Sequence, residues 1–230
     1  AEVWGLLRAA GRSHKDASDL FAQWNEGPLQ SYLVEITAEV LAARDTATGQ
    51  PLLDVILDVA GQKGTGRWTV IEALKLGQSA STIEAAVGAR SWSSELEARA
   101  QGEARLAAGE VRPKPILDGD LENGIIRAAL LDDFAKAVRT GLPEDQLILA
   151  PAFVTRLAET LPALRRVCLA GVATGAPVPA LTAALGFYDT MRFARGTADM
   201  IQGQRDYFGR HGFRRRDRDG DGFQGPWADC

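Results

Sequence analysis

The chain has 230 residues, of which 46% are hydrophobic and 24% are charged, and it carries a formal net charge of -4. These values are typical of a globular protein with a sizeable core, and the acidic balance argues against a nucleic-acid-binding protein. No apolar run approaches the roughly 20 residues that cross a bilayer, and the first residues lack the pattern of a secretory signal, so we predict no membrane segment. Two cysteines, Cys168 and Cys230, are too few for a disulfide scaffold or a metal site, which favours a reducing, cytoplasmic location.

Apolar residues recur with helical spacing along most of the chain, whereas alternating Val- and Ile-rich runs bounded by turn residues are missing. We therefore predict an all-α fold, with a multi-helix domain over residues 1–212 and an extended, irregular tail over 213–230. Helices are predicted over residues 3–10, 16–24, 29–43, 52–59, 70–76, 81–91, 125–138, 147–161, 164–174, 180–195 and 198–208.

Local signals refine two of these helix starts. Asp16 is a candidate cap for the second helix, and Ser81 with Glu84 has the spacing of a capping box. His14 lies in a polar turn between the first two helices, where we predict that its side chain is solvated.

A glycine-rich segment interrupts the helices at residues 60–68. Lys63 lies between two glycines, so the spacing does not match the Walker A phosphate loop. The glycines, together with Lys63 and Thr65, could still bring backbone N–H groups, an ammonium and a hydroxyl close to an anion. On spacing alone, a plain turn between two helices remains the alternative.

Three further cationic residues are candidates for binding an anion. Arg205 could grip a phosphate with two N–H groups, and His211, six residues later, could add a donor. The alternative is a helix end at which cations interact with the helix dipole. Arg127 lies near a predicted helix start between apolar residues, which fits either a pocket rim or an exposed surface position.

Three strings together resemble signature segments of 6-phosphogluconate dehydrogenases, and they occur in the order that this family has. They are residues 60–69 (AGQKGTGRWT), 184–189 (ALGFYD) and 202–211 (QGQRDYFGRH). Residues 24–25 with 31–37, and residues 176–179, resemble two further segments. The resemblance covers nearly the whole chain, and it implies the all-helical C-terminal domain of that family.

The resemblance also implies a binding site. Lys63 and Thr65 correspond to the loop that holds the substrate phosphate, and Arg127 corresponds to the phosphate-binding arginine of an Ile-Ile-Arg string. Arg205 and His211 correspond to the pair that reaches the active site of the neighbouring subunit. The implied ligand is a phosphorylated sugar acid, and the implied assembly is a homodimer in which the tail, Arg205 and His211 reach the other subunit. The complete enzymes oxidise 6-phosphogluconate with NADP and decarboxylate the resulting keto acid.

The sequence departs from the family in three ways. It has no glycine-rich nucleotide fingerprint after a strand, so the dinucleotide-binding domain is not present in it and NADP is implied by family resemblance alone. The family's catalytic lysine, asparagine and glutamate have no counterpart here, so we assign no catalytic residue. Near residues 122–124 a long family helix is missing, through either an omission from the sequence or a natural deletion.

Two functions therefore remain open. The first is the substrate- and dimer-forming part of an NADP-dependent, decarboxylating dehydrogenase. The alternative is a stand-alone homologue without hydride chemistry, which would act as a cofactor-independent decarboxylase or as a ligand-binding or dimerisation protein. An intact mass well above 24.7 kDa would favour the first.

Overall fold

The computed structural model describes residues 1–61, 63–106, 114–115, 130–193, 195–217 and 219–226, with the backbone alone at 106 and 130–133. Arg127, Cys230 and the predicted shortening near 122–124 lie outside the described residues. The helices of the described part are α1 (Glu2–Ala9), α2 (His14–Asn25), α3 (Tyr32–Ala42), α4 (Leu52–Val55), α5 (Thr65–Lys75), α6 (Ser81–Ser93), α7 (Leu96–Leu106), α8 (Leu130–Thr140), α9 (Pro151–Thr174), α10 (Pro179–Met191) and α11 (Ala198–Gly209).

Short 3-10 helices at Pro143–Asp145 and Leu147–Leu149 precede α9. Extended pairing within the described ranges is limited to isolated β-bridges, Arg44 with Pro51 and Phe213 with Phe223. The prediction of an all-α fold is therefore confirmed. The chain divides into two compact units, residues 1–185 and 186–230, with the boundary inside α10.

The main hydrophobic core of the first unit is formed by α1, α2, α3, the second half of α9 and the turn that follows it. Its buried members are Leu6, Leu7, Ala17, Phe21, Trp24, Leu29, Ala38, Leu41, Val167 and Val178. Burying one leucine or phenylalanine side chain stabilises a fold by about 1.5–3 kcal/mol, so this cluster is the principal source of stability. Between α2 and α3 the buried hydroxyl of Ser18 donates a hydrogen bond to the carbonyl of Ala38 at 2.8 Å.

The carboxylate of Glu2 connects α1 to the start of α10. Its Oε1 accepts the N–H of Ala180 at 2.7 Å, and its Oε2 accepts the N–H of Leu181 at 3.1 Å. The first N–H groups of a helix have no partner within the helix, and a negative charge there also interacts favourably with the helix dipole. Glu2 thus adds a polar contact between the beginning and the end of this unit, which also share the hydrophobic core.

The segment from α4 to α7 has a different character. Helices α4, α5 and α6 contain no buried residue, and α5 packs against α6. Large apolar side chains are exposed along these helices, including Trp68 at 66%, Leu74 at 69% and Trp92 at 62%. Exposed apolar area of this kind usually marks a surface that another molecule covers.

Four local predictions from the sequence are wrong. The helix predicted over 52–59 ends at Val55, as α4. The two helices predicted over 147–161 and 164–174 are one helix, α9, which continues through Pro162 because buried residues lie both before and after the proline. The cap of α2 is Ser13 rather than Asp16, which instead completes a capping box as the third helical residue. The capping box predicted at Ser81 does not form, since α6 begins at Ser81 with Ala80 as its N-cap.

His14 is also placed differently from the prediction of a solvated side chain. It is the first residue of α2, and its ring lies 5.0 Å from the ring of Trp4. Its Nε2 atom is 3.2 Å from Oδ1 of Asp54, and the histidine side chain is 23% exposed. A partly buried imidazole between an aromatic ring and a carboxylate is therefore part of the packing between the early helices.

Candidate functional site

The glycine-rich segment ends at the N-terminus of α5. Gly64 is the N-cap of this helix and has φ +105°, in the left-handed region that residues with a Cβ rarely adopt. Its carbonyl accepts the N–H of Trp68 at 2.9 Å, which closes the first helical turn. Lys63 thus stands directly before the helix, and Thr65 is its first helical residue.

This arrangement presents positive charge at one point. The N-cap is a glycine and provides no side-chain hydrogen bond to the first turn, so the N–H groups there are oriented for an external acceptor. Lys63, Thr65 and Arg67 have exposed side chains around that end of the helix. Backbone N–H groups, the helix dipole and an ammonium together form a suitable environment for an anion such as phosphate. The sequence prediction did not include Arg67.

The loop before α5 is held by hydrogen bonds to residues that are distant in sequence. The hydroxyl of Ser93, at the end of α6, accepts the N–H of Ala60 at 2.9 Å. Arg99 of α7 donates to the carbonyl of Asp58 and to that of Ser93, each at 3.1 Å, and to the Asp58 carboxylate at 2.5 Å. The end of α6 and the first turn of α7 therefore hold residues 58–60, which precede Lys63. No local pattern around residues 60–69 indicates these contacts.

The second pair of predicted residues lies in the second unit, at the end of α11. Arg205 is exposed, and its Nη1 donates to Oε1 of Gln202 at 3.3 Å. His211 follows the helix by two residues, is also exposed, and makes an edge contact with the ring of Phe208 at 6.1 Å. Among the carboxylates of the described residues, none forms an ion pair with Arg205.

The tail after His211 folds back and is anchored on α11. Phe213 and Phe223 pair through two backbone hydrogen bonds of 2.8 and 3.0 Å. The buried carboxylate of Asp206 accepts the N–H of Gly212 at 2.8 Å and the N–H of Gly225 at 2.9 Å. The side-chain amide of Gln202 donates to the carbonyl of Gly212. Gln202 and Asp206 were not among the predicted site residues, although they lie in the string that contains Arg205 and His211.

The predicted site residues that the structure describes therefore lie in both units. Lys63 and Thr65 flank Gly64 in the first unit, and Arg205 and His211 are six residues apart in the second. Arg127 lies outside the described residues. The second unit also contains an open cleft of about 700 Å³, whose lining includes Gln202, His211 and Arg214.

Other kinds of site have little support in the described part of the chain. It contains no group of three or more His, Cys, Asp or Glu residues that could hold a metal ion. In the described ranges no β-strand leads through a glycine-rich turn into a helix, so these residues do not supply the usual platform for a dinucleotide. None of the described helices has the length and the apolar character that a membrane crossing needs.

Comparison with known proteins agrees with the resemblance of the sequence strings. The model of the C-terminal domain of 6-phosphogluconate dehydrogenase matches residues 1–120 and 121–227. The NADP(+)-dependent, decarboxylating 6-phosphogluconate dehydrogenase of Bacillus subtilis (strain 168) is 36% identical over 259 residues, which cover 94% of this chain and 55% of that protein. The NAD(+)-dependent, decarboxylating enzyme of the same strain is 35% identical over 266 residues, with 96% and 57% covered.

A solved structure has the same fold. The 6-phosphogluconate dehydrogenase of Plasmodium falciparum, studied without ligand, with its cofactor NADP+ and with its substrate 6-phosphogluconate, superposes with a TM-score of 0.87. It is 30% identical, and the match covers 98% of this chain and 58% of that one. The chain thus spans somewhat more than half the length of the relatives it matches. With a family model that matches nearly all of its residues, this chain belongs to the 6-phosphogluconate dehydrogenase family and corresponds to its C-terminal domain.

Proposed function

We propose that this chain is the substrate-binding and dimer-forming part of a decarboxylating 6-phosphogluconate dehydrogenase. The observation that carries the proposal is the position of Lys63 and Thr65 around the left-handed Gly64 at the N-terminus of α5, inside a string that resembles a family signature. Backbone N–H groups, an ammonium and a hydroxyl are together suited to a phosphate dianion.

The second part of the proposal concerns Arg205, His211 and Arg127. We propose that Arg205 and His211 of one subunit bind the phosphate held by Lys63 and Thr65 of the other subunit, and that Arg127 contributes a further guanidinium. The guanidinium of Arg205 is exposed and has no carboxylate partner among the described residues, which supports this role because no carboxylate competes with the ligand.

Formation of a homodimer is supported by the apolar surface of the chain. Trp68, Ile71 and Leu74 of α5 are exposed, and so are Met200, Ile201, Tyr207 and Phe208 of α11. A second copy of the chain would cover such surfaces and remove their apolar area from water. We propose that both helices take part in the dimer.

Oxidation by NADP is proposed for an enzyme in which this chain is joined to a dinucleotide-binding domain. The relatives named above include one NADP(+)-dependent and one NAD(+)-dependent enzyme with nearly equal identity to this chain. Sequence identity to this part of the protein therefore does not select between the two cofactors. The residues described here contribute the binding and orientation of the sugar acid.

We also infer that the chain is shorter than its relatives inside this domain. The two stretches that match the family model meet at residues 120 and 121. The matches to the Bacillus relatives extend over 259 and 266 residues, which exceeds the 230 residues of the chain. Both observations support a missing segment near residues 122–124.

Calorimetric titration with 6-phosphogluconate tests the phosphate site. Replacing Lys63 with Met, or Arg205 with Ala, should weaken binding by about 2–5 kcal/mol if the contact is desolvated. Lys75→Met at the other end of α5 and Arg195→Ala, which removes an exposed partner of Asp199, are the matched controls and should leave the affinity unchanged. Equal affinities for all four variants and the wild type would contradict the proposed site.

Mixing the two variants tests whether the site is shared between subunits. A heterodimer of a Lys63→Met subunit and an Arg205→Ala subunit has one site in which both cations are intact, provided that each site draws on both subunits. Exchange of subunits should therefore restore tight binding in part, whereas each variant alone binds weakly. No recovery in a mixture that native mass spectrometry shows to contain the heterodimer would mean that both cations serve the same subunit's site.

A further inference from the structure

A buried carboxylate lies at the centre of the region that contains Arg205 and His211. The side chain of Asp206 is 1% exposed, which is unusual for an ionisable residue. Its two oxygens accept N–H groups from two separate parts of the tail, Gly212 at 2.8 Å and Gly225 at 2.9 Å. A buried carboxylate is expensive unless it is hydrogen-bonded, so these contacts determine where the tail can lie.

Gly212 transmits this constraint to His211, its direct neighbour. Gly212 has φ +68°, and a Cβ at this position would lie 2.8 Å from Cα of Gly222. A residue with a Cβ could not occupy this position without displacing the opposite side of the turn. Because Asp206 fixes the N–H of Gly212, it also fixes the point at which the chain leaves His211.

Gln202 acts on the same group of residues from the preceding turn of α11. Its side-chain carbonyl accepts a hydrogen bond from Arg205 at 3.3 Å, and its side-chain N–H₂ donates to the carbonyl of Gly212. One amide thus joins the guanidinium of Arg205 to the residue that follows His211. The N–H and the C=O of Gly212 are both held, one by Asp206 and the other by Gln202.

We propose that Asp206 and Gln202 are positioning residues, which hold the side chains of Arg205 and His211 where both can bind the same phosphate group. The proposal rests on the proposed function, in which these two cations bind the phosphate of the substrate. Both residues act in this proposal through other groups and not through a contact with the phosphate. Asp206 acts through the backbone beside the imidazole, and Gln202 acts through the guanidinium and the same stretch of backbone.

The number of histidines gives a direct spectroscopic test. The chain has two histidines, His14 and His211, so the imidazole Cε1–H region of an NMR spectrum should contain two protein signals. His211→Gln identifies its signal by removing it. In the wild-type protein, titration with 6-phosphogluconate, or with inorganic phosphate as the minimal probe, should shift the His211 signal and leave that of His14 in place.

The decisive variant is Asp206→Asn, which keeps the shape of the side chain and replaces one acceptor with a donor. We expect the concentration of phosphate that half-shifts the His211 signal to rise about tenfold, because small displacements of a binding group have large effects. Asp219→Asn, the same change at an exposed position of the tail turn, is the control and should behave like the wild type. Circular dichroism and the unchanged His14 signal verify that each variant is folded.

Gln202→Ala gives an independent test that leaves the buried charge intact. Gln204→Ala makes the same change at an exposed position of α11. We expect Gln202→Ala to weaken phosphate binding by a smaller factor than Asp206→Asn, and Gln204→Ala to have no effect. Should Asp206→Asn fail to fold, this pair still decides between positioning and stability alone.

The outcomes separate the two proposals. Wild-type phosphate affinity in folded Asp206→Asn and Gln202→Ala, with a lower melting temperature, would make both residues structural and overturn the positioning role while the proposed function stands. A His211 signal that responds to neither 6-phosphogluconate nor phosphate in the wild-type protein would overturn the proposed role of His211, and with it the positioning inference.

Discussion

The helices at the two ends of the first unit and the helices in its middle use apolar residues in different ways. In α1, α2, α3 and α9, leucine, phenylalanine, tryptophan and valine side chains are buried against one another, although Leu33 of α3 and Leu169 of α9 are exposed. In α4, α5 and α6, residues of the same kinds are exposed and none is buried. The first group supplies its own core, whereas the second leaves apolar area open to a partner, and this second group contains the candidate phosphate loop. The candidate phosphate loop therefore precedes helices that contain no buried residue of their own.

The largest effect that separates the two groups should come from a pair of leucine truncations. Leu6→Ala removes a side chain that is 0% exposed and should lower the free energy of unfolding by about 2–5 kcal/mol. Leu74→Ala removes one that is 69% exposed and should change the unfolding of the dilute monomer by less than about 0.5 kcal/mol. Urea unfolding at low protein concentration measures both.

When self-association is measured, Leu74→Ala should have a larger effect than Leu6→Ala. Leu74→Ala should raise the dissociation constant of the dimer in sedimentation equilibrium, because its side chain lies on the exposed face of α5. If Leu74→Ala instead destabilises the dilute monomer as much as Leu6→Ala does, the exposed face of α5 is packed within the chain and the contrast between the two groups is lost.

The next largest effect concerns the backbone of the candidate phosphate loop. Gly64→Ala forces a residue with a Cβ into φ +105°, which should cost about 1–2 kcal/mol of stability and disturb the start of α5. The new Cβ would be 3.7 Å from Trp68, an ordinary contact, so the strain comes from the backbone alone. Calorimetry with 6-phosphogluconate should show weaker binding together with the lower melting temperature.

Gly61→Ala is the control for this change. Gly61 lies in the same loop, but its φ is not in the left-handed region and no atom lies within 4 Å of the added Cβ. It should therefore have little effect on stability or binding. Equal effects of the two substitutions would show that the loop responds to any added side chain and not to the left-handed turn before α5.

The helices could be predicted from sequence because apolar spacing is a local property. Helix α11 was predicted over 198–208 and extends over Ala198–Gly209, and Gly175 ends α9 in the left-handed conformation as a helix-terminating glycine should. Pro162 lies between the two helices predicted over 147–161 and 164–174, and proline disrupts an isolated helix. In α9, burial of Ala163, Val167 and Cys168 after the proline keeps the helix continuous, which is a tertiary effect that no local pattern contains.

The candidate site shows the same division. The strings around Lys63 and Arg205 are contiguous and could be recognised, but the residues that hold them are distant in sequence. Ala60 and Ser93 are 33 residues apart, Asp58 and Arg99 are 41 apart, and Asp206 and Gly225 are 19 apart. These partners depend on how helices and turns pack, so only the structure identifies them.

A smaller effect distinguishes a formed capping box from one that is only a sequence pattern. Ser13→Ala should lower stability by about 1 kcal/mol, because the Ser13 hydroxyl accepts the N–H of Asp16 at 3.1 Å. Ser81→Ala should have a much smaller effect, since Ser81 does not cap α6. Thermal unfolding of the two variants beside the wild type measures the difference. Similar losses would indicate that helix propensity, not capping, dominates at both positions.

Asp16 should make the stability loss in Ser13→Ala depend on pH, whereas the loss in Ser81→Ala should not depend on it. Hydrogen bonds from the hydroxyl and the backbone N–H of Ser13 lower the pKa of the Asp16 carboxyl below its ordinary value. A carboxyl whose pKa is lower in the folded state stabilises the fold above its unfolded pKa, and this contribution is lost as the pH falls through the folded pKa. The difference in unfolding free energy between Ser13→Ala and the wild type should therefore become smaller in acid. The difference between Ser81→Ala and the wild type should stay the same.

The smallest effect on stability, with a larger effect on binding, is expected from Arg99→Met. The ion pair of Arg99 with Asp58 is 44% and 80% exposed, so its loss should cost no more than about 1 kcal/mol. The same guanidinium also holds the carbonyls of Asp58 and Ser93, on either side of the hydrogen bond from Ala60 to Ser93. Without it, amide hydrogen exchange over residues 58–61 should accelerate, and 6-phosphogluconate should bind more weakly because Lys63 is no longer held in place.

Arg105→Met, at an exposed position of the same helix, should change neither quantity. Unaltered exchange and affinity in Arg99→Met would mean that α5 and its glycine cap position Lys63 without support from α7.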